Sequence, residues 1–136
     1  MWRIMKIWFE AEGKTLIAQD GEGGYHVLPV LDANGKQHLV RWGADRHDHQ
    51  GFPRGMWYRK GPLAGWGATW VRIPASKYEQ QTMYGSLLGV PLDVYLAGAL
   101  IRVPGEGVRV YLVESESPGK TTVVPMLFRD VLGNTV

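Results

Sequence analysis

Glycine and proline recur so regularly along this chain that the ordered segments between them must be short. Eighteen Gly and eight Pro are spread through 136 residues without clustering, and each favours a turn or interrupts a regular element. Between the breaks lie runs rich in β-branched and aromatic residues, which suit strands. Trp2–Phe9 reads as a strand, followed by a turn over residues 10–14 and a second strand at Thr15–Ala18. Apolar residues at both parities of the first strand predict that both of its faces are covered. The glycines of residues 20–24 suggest a phosphate cradle only superficially, because the sequence that follows reads as strand rather than helix.

The pair Asn34-Gly35 suits the positive φ angles of a two-residue type I′ turn, and so predicts a hairpin between residues 25–31 and 37–42. If both residues are central, Leu31 stands opposite His38 and Val27 opposite Trp42. That register puts His26 and His38 on opposite faces, where they cannot share a metal. Pro29 cannot donate to a ladder, so an edge or a bulge is expected there. Thr69–Ile73 is a further strand, ending at Pro74. Ser76 and Glu79 form an S-x-x-E capping box, predicting one helix near residues 77–88, stopped by Gly89 and Pro91. Residues 91–100 suit a short helix or a strand equally. Leu100–Val103, Val108–Glu114 and Thr121–Phe128 are separated by Pro- and Gly-containing turns and read as a three-stranded meander. The resulting expectation is a mostly β (α+β) single domain spanning residues 1–136, either a small barrel or a strongly curved antiparallel sheet carrying that helix.

Cysteine is absent. This excludes disulfides, thiolate catalysis and Cys-ligated metal centres. The N-terminal MWRIMKIWFEAEG lacks the apolar core and cleavage pattern of a secretory signal, and no stretch approaches the roughly 20 apolar residues that span a bilayer. A cytoplasmic setting with no membrane contact is expected.

Charge and tryptophan are concentrated between Arg41 and Arg72. This stretch holds four of the six Trp and has six basic against two acidic residues, a net +4, while nine basic and eleven acidic residues elsewhere give −2. Residues 43–67 form a long Gly- and Pro-interrupted excursion with a short strand around Met56–Arg59, the kind of connection that often carries function. Trp42, Trp57, Tyr58, Trp66 and Trp70 interleave with Arg41, Arg54, Arg59, Lys60 and Arg72, a composition suited to stacking on bases while guanidinium groups meet phosphates. The competing reading is that Trp57 and Trp70 fill the core of a small β protein. The first expectation is a non-enzymatic binding module for an anionic partner, single-stranded nucleic acid before an acidic protein surface. The same residue types also anchor protein interfaces, so a small inhibitor or regulatory protein is the second reading.

An enzyme is the third. His47 and His49 are spaced to chelate a divalent metal, with Asp45 too distant along an extended backbone to join them without a sharp bend, and such a site would serve a hydrolase or oxygenase. Solvated loop histidines are the simpler account of the pair, and no other cofactor is expected. Asp45 and Asp48 could act as a carboxylate pair, although neighbouring acids on a basic loop more often balance charges such as Arg46 and Arg54. No Gly-x-Ser-x-Gly or His-Glu-x-x-His pattern occurs.

Overall fold

The computed structural model describes residues 5–19, 26–43, 57–58, 67–81, 87–91, 93–103, 105–115 and 124–132. These residues form eleven strands and one short helix. β1 (Met5–Ala11), β2 (Lys14–Gln19), β7 (Lys77–Gln81) and β8 (Leu87–Pro91) make a four-stranded antiparallel sheet in the order β2-β1-β7-β8. β3 (Val27–Leu31), β4 (Gln37–Arg41), β6 (Thr69–Ile73), β9 (Leu96–Val103), β10 (Gly107–Ser115) and β11 (Val124–Pro125) make the larger sheet in the order β11-β10-β9-β6-β3-β4. β5 (Trp57–Tyr58) adds to it by pairing parallel to β10. α1 (Phe128–Leu132) follows β11 and packs on β9 and β6.

Period-two burial explains why the strands stack as two layers. Met5, Ile7, Phe9 and Ala11 point inward from β1, and β2 adds Ala18 beside them. The large sheet answers with Leu28, Val30, Trp42, Ile73, Leu96, Val110 and Leu112, so the main core lies between the sheets. Only this face of β1 is buried. The opposite face carries the half-buried Lys6 and Trp8 and the exposed Glu10, with the Lys77 ammonium 4.4 Å from the Trp8 ring centre. The expectation of two covered faces therefore fails where a cation, rather than a second layer, shields the indole.

The large sheet curls strongly, but its ladders do not close into a barrel. Among the described residues the chain just after β4 reaches β10 through one bridge, Trp42 to Val110, where Gly43 N–H donates to the Val110 carbonyl at 2.8 Å. Gly43 has φ 77°, the left-handed conformation that lets the chain turn out of β4 at this point. A second, smaller cluster covers part of the other face of this sheet. It joins Ala97, Ala99, Ile101, Val103, Tyr111 and Val113 to Met126 and to Val131 of α1.

The helix expected near residues 77–88 is instead the pair of strands β7 and β8. Tyr78 and Gln80 pair with Ile7 and Met5 on the core side, while Lys77 and Glu79 pair with Trp8 and Lys6 on the outer side. Ser76 makes no capping box. Both its N–H (2.8 Å) and its hydroxyl (3.2 Å) donate to the Trp8 carbonyl. A ladder along β1 thus satisfies the backbone groups that the capping motif would have served locally.

The Asn34-Gly35 hairpin forms, with a three-residue loop in place of the two-residue one. Leu31 stands opposite Gln37 and Val30 opposite His38, and only Gly35 (φ 82°) has positive φ. The cause is Asp32, whose Oδ1 accepts the Asn34 and Lys36 N–H groups, each at 2.9 Å, and draws the turn in around itself. The one-residue shift exchanges faces. His26 and His38 therefore share a face, but at opposite ends of the hairpin, beside Trp42 and Val30 respectively. The two-residue turn with both central φ angles positive occurs in the other hairpin, at Glu12 (φ 54°) and Gly13 (φ 74°) between Ala11 and Lys14. Pro29 lies in β3, whose ladder to β6 is reduced to the pair Leu31 and Arg72, so its missing N–H costs no bond on that side. Residues 96–103 resolve as strand, and β9, β10 and β11 form the expected meander, with the third strand reduced to two residues.

Two substitutions test this packing. A methyl group at Gly98 would approach Ile73 Cδ1 to 2.9 Å, Val71 Cγ2 to 3.0 Å and Val110 Cγ2 to 3.1 Å. Gly98→Ala should lower stability in urea denaturation by about 1–3 kcal/mol. Glu12→Asn, which places a residue tolerant of positive φ in the turn, should raise it by about 0.5–1 kcal/mol.

Candidate binding face

Directly paired residues of neighbouring strands share a face, and the register follows one face of the large sheet from edge to edge. Arg41 pairs with Val27 and Gln37 with Leu31. Leu31 pairs with Arg72, and Arg72 and Trp70 pair with Ala97 and Ala99. Ala99 pairs with Tyr111 and Ile101 with Arg109. Arg41, Trp70 and Arg72, all singled out in the sequence, therefore point to the same side, away from the main core.

This face has a covered half and an open half. On the β9–β10 half, the side chains are buried against Met126 and Val131, and Trp70 packs partly into that cluster. Trp70 is half-buried, so core packing accounts for a share of its surface. On the β3–β4 half, Leu39 is 45% exposed, Gln37 and Arg41 are exposed, and Tyr95 just before β9 is 41% exposed. The Arg72 guanidinium lies 5.3 Å from the Tyr95 ring centre, a stacked cation and aromatic pair. Trp42 leaves the stacking set. It is 2% exposed and belongs to the main core at the bridge to β10.

Leu39 and Tyr95 were not singled out in the sequence. Alternation within residues 94–96 could have marked Tyr95, since a buried Leu96 directs its neighbour to the opposite face.

Acidic groups border the open half. Glu10 and Asp93 line a surface cleft of about 380 Å³ with Gln37, Ser76 and Tyr95, where the two sheets meet. The Glu10 carboxylate accepts the Thr15 hydroxyl at 2.6 Å, and its carbonyl accepts Gln37 Nε2 at 2.8 Å, joining the sheets there. At the covered half, Arg109 and Glu106 form a largely buried ion pair at 3.8 Å. Arg109 Nε is buried and has no hydrogen-bond partner among the described residues. Burial first, and the Glu106 charge second, push the Tyr111 hydroxyl up to about 12, with Arg109 opposing. This tyrosine stays neutral at physiological pH.

The rest of the sequence-derived site divides in two. Trp57 and Tyr58 form β5, whose backbone pairs with Leu112 and Val113. Arg54, Arg59, Lys60 and Trp66 lie outside the described residues, as do His47, His49, Asp45 and Asp48. Among the described residues no group of three or more His, Asp or Glu side chains is placed to hold a metal ion. The nearest arrangement is a pair, His38 Nε2 at 2.8 Å from Asp32 Oδ2, at the surface of the hairpin. With Oδ1 committed to the turn, the pair braces the loop. Among the described residues no helix is long and apolar enough to cross a membrane.

These features define a two-sheet, mostly β protein with a partly open cationic and aromatic sheet face. Comparison with protein-family models, with curated proteins and with solved structures found no match for the chain.

The Asp32 brace predicts a pH dependence. Hydrogen bonding to His38 first, and then to the Lys36 and Asn34 N–H groups, holds the Asp32 carboxyl below its ordinary value of 3.8. A depressed carboxylate contributes stability that is present above the unfolded value and is lost as pH falls through the folded one. The melting-temperature difference between wild type and Asp32→Asn should therefore be largest near neutrality and shrink as pH falls below about 4. A scan of melting temperature from pH 2 to 7 measures it.

Proposed function

We propose that this protein is a non-enzymatic binding module for an anionic partner, and that single-stranded nucleic acid is the first candidate. The observation that carries the reading is the gathering of Arg41, Trp70 and Arg72 onto one sheet face, beside an exposed tyrosine stacked with Arg72. An open face offering aromatic rings between guanidinium groups suits bases that stack and phosphates that pair with cations, without requiring sequence readout. Leu39 and Gln37 extend the surface along β4. The carboxylates of Glu10 and Asp93 disfavour phosphate in the adjoining cleft, so the strand would run over β4 and β6 instead. Arg54, Arg59, Lys60 and Trp66, from the same basic stretch of sequence, belong to the proposal by composition.

Fluorescence anisotropy with labelled single-stranded DNA and RNA, repeated across salt concentrations, tests this. Arg41→Gln should flatten the log–log salt dependence by about one unit per lost phosphate contact, and Arg54, Arg59 and Lys60 changed together to Gln should flatten it further. Tyr95→Ala should cost about 1–3 kcal/mol of affinity, the range for a base-stacking aromatic, with little change in salt slope. No binding by the wild-type protein at low salt would remove the nucleic-acid reading. The same face would then be tested against protein partners by pull-down, with Tyr95→Ala and Trp57→Ala as controls.

A further inference from the structure

Strand β2 forms one end of the four-stranded sheet, and β1 is its only ladder partner among the described residues. Which of its backbone groups face the open side follows from β1. The Trp8 carbonyl accepts the Ser76 N–H at 2.8 Å, so Trp8 directs its backbone bonds toward β7. Bonding direction alternates along an antiparallel strand, so Ile7 and Phe9 bond to β2. Their partners are Ala18 and Leu16. The intervening Thr15 and Ile17 therefore turn their N–H and carbonyl groups away from β1, toward the open edge.

The chemistry of this edge is unusual. Natural edge strands are blunted by charge, proline or a bulge. Thr15–Gln19 contains no charged residue and no proline, Thr15 is exposed, and Ile17 is a large apolar side chain 39% exposed on the outer face. Only the ends carry charge in the sequence, Lys14 at the start and Asp20 directly after Gln19. Two copies of the strand laid antiparallel bring unlike ends together, whereas a parallel arrangement opposes like ends.

We propose that β2 pairs antiparallel with β2 of a second copy of this chain, about a twofold axis at Ile17. Ile17 then faces Ile17 of the other copy, exchanging both backbone bonds, with Thr15 opposite Gln19 and Leu16 opposite Ala18. Each of these pairs is uncharged, and the central pair is β-branched, a favourable cross-strand combination. The two four-stranded sheets become one continuous eight-stranded sheet, and the isologous contact closes on itself without forming a filament. The pairing uses none of the residues of the binding face, so it stands apart from the proposed function. Pairing along so short a strand buries less than the roughly 1,200 Å² of a standard interface, so the dimer is weak and reversible.

Sedimentation equilibrium of the whole chain, from about 10 μM to about 1 mM, a range chosen for so small an interface, tests this together with amide exchange followed by NMR. The wild type should shift from monomer to dimer, and the Ile17 amide should gain protection as concentration rises. Ile17→Lys and Thr15→Pro should each weaken dimerisation at least tenfold. Thr15→Pro removes an N–H directed at the open edge and the hydroxyl bond to Glu10, but no bond of the β1 ladder, so if one variant fails to fold the other still decides. Leu39→Lys, on the edge strand β4, should leave dimerisation unchanged. A wild type that stays monomeric throughout would overturn the proposal, as would a dimer that survives in a folded Ile17→Lys or Thr15→Pro variant or is abolished by Leu39→Lys.

Discussion

The fold depends on a strand that has no solvent face over the first half of its length. β9 is buried on both sides from Leu96 to Ala99, between β6 and β10. Leu96 and Leu100 meet the core between the sheets, and Ala97, Ala99, Ile101 and Val103 meet the cluster under α1. Such a strand admits one register, because a shift of one residue would exchange Leu96 with Ala97 and overfill one layer while emptying the other. Gly98 marks how close the fit is. Its missing side chain leaves the space in which Ile73, Val71 and Val110 converge from the two flanking strands.

The curl of the large sheet follows from the same packing and separates the tryptophans. Trp42 swings inward at the bridge to Val110 and fills the core, although its sequence neighbour Arg41 stands exposed on the opposite face. Trp70 sits at the boundary between the covered and open halves. Trp8, outside the basic stretch, lies under the Lys77 ammonium on the small sheet. Tryptophan thus has three different environments in one protein. Which one it takes depends on strand parity and on what covers the sheet face, not on the neighbouring charge.

The open half of the face is electrically uneven. Arg41 and Arg72 lie toward β4 and β6, while Glu10 and Asp93 border the cleft beside Tyr95. In the proposed mode of binding, this contrast directs a polyanion across the sheet rather than into the cleft. Surface pairing of Arg72 with Tyr95 also holds the ring in place before any ligand arrives, which reduces the ordering cost of stacking.

Local chemistry alone determined the strand-rich architecture, the hairpins at residues 12–13 and 34–35, the strand ending at Pro74 and the C-terminal meander. In each, glycine or proline beside a β-branched run leaves the backbone few alternatives. The tertiary structure decided the rest. Ser76 and Glu79 carry a helix-capping pattern, and only the presence of β1, with Ile7 and Met5 as partners of Tyr78 and Gln80, selects the strand. The register of the second hairpin turned on whether the Asp32 side chain would accept two N–H groups from its own loop, a competition between a turn-borne hydrogen bond and the left-handed preference of Asn34-Gly35. Residue types identified Arg41, Trp70 and Arg72 as candidates, but their common face arises from a chain of pairings through β3, β6 and β9. Those pairings join segments distant in sequence, and a local pattern carries no information about which strand will lie beside which.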